Sequence, residues 1–234
     1  MIAYLGQRLS AYLELGIAYV LPFLIGRSLR RGLHRIYFRG NWDNLANGGV
    51  ILAPNHHSWW DVYLAWYLHL KIGRKAGALM DEAQLERFRF FRHIGIISRR
   101  ELREAIRRLE RGDLFFVFPE GELRQNGPVA TVERGVFFLA RAAHVPIYPV
   151  AFRVVMRGAE HPEAFISLGE RLELSGDDQA DKAQLKAALT KLLKDIDTCV
   201  TETHPEKAPE GFTQLMGGQK STSERTAWLG KLWL

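Results

Sequence analysis

Three runs of mainly apolar residues constrain the fold of this 234-residue chain most strongly; they lie at 113–118, 146–155 and 50–53, and the last of these contains no polar residue. A run of this kind is typical of a strand that is buried on both faces. Stretches of helical composition separate the runs, at 58–70, 101–111 and 131–143. The alternation predicts an α/β fold, with a mostly parallel sheet flanked by helices.

Weaker patterns extend this domain to both sides. Further strands are predicted at 36–38, 76–80 and 164–174, and further helices at 82–92 and 179–203. Asp177 or Asp178 is a suitable N-cap for the last of these helices. Together the elements predict one α/β catalytic domain over residues 35–205.

Residues 1–34 combine an uncharged apolar stretch, 15–26, with the basic cluster that follows it. Twelve residues of helix reach about 18 Å, which is less than the roughly 30 Å of bilayer hydrocarbon. We therefore expect an amphipathic helical membrane-association segment, formed by two helices in the headgroup layer and not by a span. The alternative is a helical hairpin packed on the domain.

Residues 206–234 differ from the rest of the chain. The segment 217–223 has the composition of a flexible linker, and 227–234 is rich in Trp and Leu. We interpret this region as a C-terminal tail whose end is a second membrane contact. Docking on the domain and disorder are the alternatives.

The charge of the chain indicates an anionic partner. Its net charge is +6, and nine arginines but only three acidic residues lie between Arg87 and Arg111. A phospholipid surface, a phosphorylated substrate and a nucleic acid all remain open on this basis. The single cysteine, Cys199, excludes an intrachain disulfide framework.

The segment Asn55-His56-His57-Ser58-Trp59-Trp60-Asp61 follows a predicted buried strand and precedes a predicted helix. Such a junction is where α/β sheets place their ligands. On one continuous helix, His56 and Asp61 would point about 140° apart. If His56 lies in the loop, its ring can fold back onto the carboxylate and act as a general base. The alternative is a capping box of Ser58 and Asp61, with His56 as an ordinary loop residue.

The pattern Asn55-His56-x-Ser58-x-x-Asp61 resembles the first sequence block of the glycerolipid acyltransferase family, the lysophosphatidic acid acyltransferases and their relatives. Segments 96–99, 118–121 and 145–150 resemble three further blocks, in the order of the family. Where the family often has Thr-Arg after the third block, this chain has Glu122-Leu123-Arg124. An additional acid at that point disfavours a doubly charged phosphate unless an arginine offsets it.

The resemblance implies roles for particular residues. His56 would deprotonate the acceptor hydroxyl, and Asp61 would orient the imidazole. The acceptor would be bound by a second set of residues: Arg99 or its neighbour Arg100, Glu120, Gly121 and Arg124. Glu120 is expected to bind a glycerol hydroxyl or to hold an arginine.

The same resemblance implies the reaction. An acyl group would move from acyl-CoA or acyl carrier protein to a lysophospholipid, most simply 1-acyl-glycerol-3-phosphate. Glycerol-3-phosphate and a lyso-aminolipid are alternative acceptors. The enzyme would need no cofactor and no metal, would bind no nucleic acid, and would be peripheral or monotopic on the cytoplasmic face of a membrane.

Two other classes of function were considered for this chain. A metal hydrolase could use His56, His57 and Asp61, but adjacent histidines seldom face one ion and no spaced third ligand is apparent. A non-enzymatic binder of anionic lipid or nucleic acid could use the arginine-rich segment 87–111, in which phenylalanines are interleaved.

Overall fold

A computed structural model describes residues 2–227, with side chains from residue 16 onward except residue 18. The Trp- and Leu-rich end predicted as a membrane contact therefore lies, from residue 228, outside the described residues. The described part contains an eight-stranded sheet with helices on both faces.

The strands of the sheet follow one another along the chain as β1 Arg35–Arg39, β2 Val50–Pro54, β3 Ala76–Met80, β4 Ile96–Ser98, β5 Leu114–Phe116, β6 Ile147–Val155, β7 Glu163–Leu168 and β8 Thr213–Gly217. Their order across the sheet is β4-β3-β5-β2-β6-β7-β1-β8. Only β6–β7 and β1–β8 pair antiparallel. The predicted mostly parallel α/β sheet is thus confirmed.

The helices are α1 Ile2–Gly32, α2 Asp61–Ile72, α3 Glu82–Arg87, α4 Leu102–Glu110, α5 Gly135–Ala143, α6 Asp178–Glu202 and α7 Thr222–Thr226. Two 3₁₀ turns accompany them, Trp42–Leu45 and Arg89–Ile94. Asp177 caps α6 through a 2.8 Å bond from the Ala180 N–H, as its sequence suggested.

Each apolar run is buried on both faces because it separates two cores. In β2, Ile51 and Ala53 belong to the core beneath α4, α5 and α6, whereas Val50 and Leu52 belong to the core beneath α1 and α2. All four are at most 1% exposed. The absence of polar alternation in this strand follows from the two helical layers.

The N-terminal segment is one helix and not the two helices expected. The helix α1 continues through Pro22, and its C-terminal half is buried through Ile25 and Leu29. A Cβ at Gly32 would meet the Trp60 ring at 2.1 Å, so glycine allows this ring to pack against α1. No helix among the described residues is both long and apolar enough to cross a membrane.

The C-terminal segment is more ordered than a tail with a linker. The strand β8 pairs with β1 at the edge of the sheet. The N–H groups of Gly218 and Gln219 donate to His34 and Leu33 at the end of α1. The interpretation of 217–223 as a flexible linker was therefore wrong, and the sheet extends beyond the predicted domain end at residue 205.

Other boundaries also differ from the sequence prediction. The helix expected over 58–70 begins at Asp61, and the helix expected over 82–92 divides into α3 and a 3₁₀ turn. The short edge strand β4 was not predicted as a strand. The elements that were predicted keep their order along the chain.

Asn55 joins the end of β2 to β6. Its side-chain oxygen accepts from the Phe152 N–H at 2.7 Å, and its amide donates to the Phe152 carbonyl at 3.1 Å. The side chain is fully buried. Asn55 thereby continues the pairing of β2 with β6 beyond Pro54 and fixes where the following loop leaves the sheet.

Replacing Asn55 should destabilise the protein. In Asn55→Leu, the Phe152 N–H and C=O would remain buried without partners, which costs about 2–4 kcal/mol in the free energy of unfolding. Urea denaturation measures the loss, with the exposed Asn47→Leu as the control. A change below about 0.5 kcal/mol would show that Asn55 has no such role.

Candidate functional site

The loop from β2 to α2 places the imidazole of His56 on the carboxylate of Asp61. His56 lies in the loop, Asp61 is the first residue of α2, and the His56 Nδ1 is 3.1 Å from the Asp61 Oδ2. The carboxylate is fully buried, and the imidazole is 19% exposed. The condition set by the sequence, a histidine outside the helix that carries the aspartate, is met.

The same Asp61 oxygen also fixes the backbone of the loop. It accepts from the N–H groups of His57 at 2.7 Å and Ser58 at 2.8 Å. The bond from Ser58 is one half of the capping box considered as the alternative, but the Ser58 hydroxyl accepts from Trp60 and not from Asp61. Asp61 therefore combines helix capping with contact to His56, so the two interpretations are not exclusive.

Glu120 supports the loop from the neighbouring strand. It follows β5 and is 2% exposed. Its Oε1 accepts from the His56 N–H at 2.9 Å, and the His57 Nε2 lies 3.1 Å from Oε1 and 3.3 Å from Oε2. Of the two roles expected for Glu120, holding an arginine is not observed, because its ion-pair partner among the described residues is His57; binding a glycerol hydroxyl stays a prediction.

The turn after Glu120 brings two more predicted residues to the loop. Gly121 has φ +74°, a conformation that glycine adopts without strain. The Arg124 N–H donates to the His56 carbonyl at 2.8 Å. The Arg124 guanidinium pairs with Glu122 at 2.6 Å, so it offsets the additional acid noted in the sequence.

Arg99 and Arg100 are not brought to His56. They follow β4, which is three strands from β2, so the two positions are separated by roughly 14 Å across the sheet. Both side chains are exposed, and they pair with Asp81 at 2.7 Å and with Glu82 at 3.0 Å. They share the carboxyl edge of the parallel strands with His56 but form a separate group.

An apolar cavity of about 540 Å³ opens beside His56. Four elements contribute most of its wall: α1, α2, β3 and the 3₁₀ turn 89–94. The Phe118 ring packs against the His56 ring, with 4.6 Å between their centroids. Trp59 and Leu123 belong to the wall and are also more than half exposed, so they mark an opening next to His56.

Several of these residues have roles that the sequence did not predict. His57 is the ion-pair partner of Glu120, and Phe118 covers the His56 ring. Both residues lie inside segments that resemble family blocks, so the resemblance was the one feature of the sequence that could have pointed to them. Leu21 and Ile25 of α1 line the cavity, and no local pattern connects them with His56.

A metal centre has no support at this site. Among the described residues, no group of three or more His, Cys, Asp or Glu side chains could hold an ion. The chemistry available here is that of a histidine with a buried carboxylate on one ring nitrogen and an apolar cavity beside the ring.

Comparisons with known proteins identify the family and a similar fold. The model of the family described as Acyltransferase matches residues 35–153, half of the chain. The fold is similar to the crystal structure of the 1-acyl-sn-glycerophosphate (LPA) acyltransferase PlsC from Thermotoga maritima, with a TM-score of 0.55. The two sequences are 18% identical, and the similarity covers 82% of this chain and 83% of that chain.

The ionisation of Glu120 should be visible in the stability of the protein. Burial by itself raises the pKa of Glu120, but the hydrogen bonds from His57 and from the His56 N–H outweigh it and lower the pKa below its ordinary 4.5. A lowered carboxyl pKa stabilises the fold above pH 4.5, and this stabilisation is lost as the pH falls through the folded-state pKa.

Glu120→Gln should therefore lower the free energy of unfolding by about 1–3 kcal/mol at pH 7. The difference from wild type should narrow below about pH 4.5. Urea titrations across this range measure it, with the exposed Glu122→Gln as the matched control. A difference that is independent of pH would contradict this account of the Glu120 carboxylate.

Proposed function

Because the chain belongs to the Acyltransferase family and is an acyltransferase, we propose that it moves a fatty acyl group from a thioester donor to a lysophospholipid hydroxyl. The acceptor that we propose is 1-acyl-glycerol-3-phosphate, and the product is phosphatidic acid. The donor is acyl-CoA or acyl carrier protein. Membership in this family sets aside the non-enzymatic binder considered from the sequence.

The observation that carries the proposal is the position of the His56 ring between the Asp61 carboxylate and the apolar cavity. Its Nδ1 is held by the buried Asp61, and its ring lines the apolar cavity. With Nδ1–H donating to the carboxylate, Nε2 is the unprotonated nitrogen and can accept a proton. This arrangement supports His56 as the general base and Asp61 as the residue that orients it.

The reaction then needs no enzyme nucleophile. Nε2 takes the proton of the acceptor hydroxyl while the hydroxyl oxygen attacks the thioester carbonyl carbon. The tetrahedral intermediate collapses, the C–S bond breaks, and the departing thiolate takes the proton from the imidazolium. Asp61 stabilises the imidazolium between these two transfers, and Glu120 holds the loop that carries both residues.

The cavity supports a fatty acyl chain as the transferred group. Its wall is predominantly apolar and contains a cluster of aromatic side chains from α2 and the segment 88–91. Ligand pockets of this size and lining bind apolar molecules by removing them from water. Because His56 lies in the wall, an acyl chain in the cavity has its thioester end near the base.

The acceptor phosphate is proposed to lie at the turn after Glu120. Arg124 is the predicted arginine nearest to His56, since its N–H bonds to the His56 carbonyl. Arg99 and Arg100 are farther along the same edge and would have to leave Asp81 and Glu82 to reach a phosphate. Glycerol-3-phosphate and a lyso-aminolipid are the alternative acceptors. They are tested as well because Glu122 pairs with Arg124 and offsets its charge at the proposed phosphate site.

Membrane association is proposed through α1. Tyr19 is 89% exposed and Phe23 is 65% exposed, although both are large apolar side chains. Trp59, at the opening of the cavity, adds to this surface. An apolar surface beside the basic end of α1 fits the interface of an anionic membrane. We place the enzyme peripherally on the cytoplasmic face, where both donors are available.

The mechanism predicts the loss of turnover in His56→Ala. General-base catalysis contributes about 10²–10⁴ in rate, so kcat should fall by at least about 10²-fold. The assay follows acyl transfer from acyl-CoA and acyl carrier protein to lysophosphatidic acid, glycerol-3-phosphate and a lyso-aminolipid. His204→Ala is the control, because His204 is exposed and follows α6. Retained transfer by folded His56→Ala would refute the mechanism.

The membrane surface predicts a separate effect on binding. Tyr19→Ser/Phe23→Ser should reduce binding to phosphatidylglycerol-containing vesicles by about tenfold or more, because it removes two exposed apolar side chains. Vesicle sedimentation measures the change. Phe138→Ser removes an exposed aromatic ring on the other face of the sheet and should bind as wild type. Equal losses in both variants would contradict an α1-specific contact.

A further inference from the structure

The arginine excess of the chain is concentrated on one region of the surface. Residues 87–111 carry nine arginines and three acidic residues, an excess equal to the +6 of the whole chain, so the remaining residues are balanced. The segment comprises the 3₁₀ turn 89–94, the edge strand β4 and the helix α4. The proposed catalytic mechanism uses none of the arginines on α4.

A groove of about 660 Å³ runs between α4 and α5. Arg103, Glu104 and Arg107 line it from α4, Arg100 and Glu101 line it from the turn before α4, and Phe138 lines it from the first turns of α5. Phe138 is 49% exposed, although it is a large apolar side chain. The groove thus combines three cations and two carboxylates with an incompletely covered aromatic ring.

The cations follow one side of α4. Arg103 and Arg107 of the groove and Arg111 beyond it are spaced by four residues, so they form a row about 12 Å long. Glu104 pairs with Arg107 and with Arg111, and Glu101 is bound by Arg92 and the Ser98 N–H. Arg103 makes no ion pair with any described residue, so the row keeps a net positive charge.

The position of the groove separates it from the lipid-facing surface. The helices α4 and α5 cover one face of the sheet, whereas α1, α2 and the apolar cavity lie on the other. A membrane bound by α1 therefore leaves the groove in water. Yet α4 begins at the carboxyl edge of the parallel strands, the edge that also carries His56.

We propose that the groove between α4 and α5 docks an acidic helix of an acyl carrier protein, so that the thioester reaches His56 from the aqueous side. The proposal rests on the acyltransferase function proposed above and names its donor. A row of cations about two turns of helix long matches a line of carboxylates, and Phe138 matches an apolar side chain between them. The phosphates of CoA would need only a short cluster of cations.

The experiment compares two donors that carry the same acyl chain. Arg103→Glu/Arg107→Glu and Phe138→Ser are assayed with acyl carrier protein and with CoA as the carrier, at one fixed acceptor concentration in detergent micelles. We expect kcat/KM with the acyl carrier protein to fall by about tenfold or more, through KM. The value of kcat/KM with acyl-CoA should change less than about twofold. As a control, Arg171→Glu should leave kcat/KM unchanged with both donors, because Arg171 follows β7 and lies at the amino edge of the parallel strands.

Three outcomes would overturn the proposal. The variants could lose kcat/KM equally with both donors, or they could lose it with acyl-CoA alone. The wild-type enzyme could also turn over acyl-CoA but not acyl carrier protein. The last would leave the acyltransferase function intact. If neither donor supports turnover, the function fails separately. In that case, NMR titration of holo-acyl carrier protein against the wild type and the double variant tests the docking site by itself. The proposal requires that the wild type binds the carrier protein and that the double variant does not.

Discussion

The site depends on one buried carboxylate oxygen. The Asp61 Oδ2 accepts from the His56 ring and from two successive backbone N–H groups, while it begins the helix α2. Without these backbone contacts, the loop and the His56 side chain could adopt several conformations. Restricting them to one conformation would then cost conformational entropy. Because a single oxygen contacts both the backbone and the imidazole, the fold itself holds the His56 ring at the wall of the cavity. Glu120 adds a second restraint from the adjacent strand.

Local patterns in the sequence predicted those parts of the fold that depend on neighbouring residues. Burial of β2 on both faces followed from its uninterrupted apolar run. Helical geometry showed only that His56 must lie outside the helix if it is to meet Asp61, and the resemblance to the family favoured that contact over a capping box. The strand β8 was missed because Thr213–Gly217 has little strand character and pairs with a strand almost 180 residues earlier. The separation of Arg99 from His56 depends on the order of strands, which no local pattern encodes.

The cavity illustrates a related limit of sequence reasoning. Its wall joins α1, α2, β3 and the turn 89–94, elements that are distant in sequence and meet only through the sheet. In the sequence, each apolar residue of the wall is indistinguishable from an ordinary core residue. The cavity between these residues arises only when the elements pack together. The fold thereby gives the two faces of the sheet different surroundings: apolar and open beside α1, and positively charged beside α4.

The continuity of α1 through Pro22 has a mechanical consequence. Proline lacks the N–H that a helix uses at that position, so α1 is weakest there. The residues on either side of this point, Leu21 and Ile25, form part of the cavity wall, whereas Tyr19 and Phe23 face outward. A bend at Pro22 would therefore move Leu21 relative to Ile25 and change the width of the cavity.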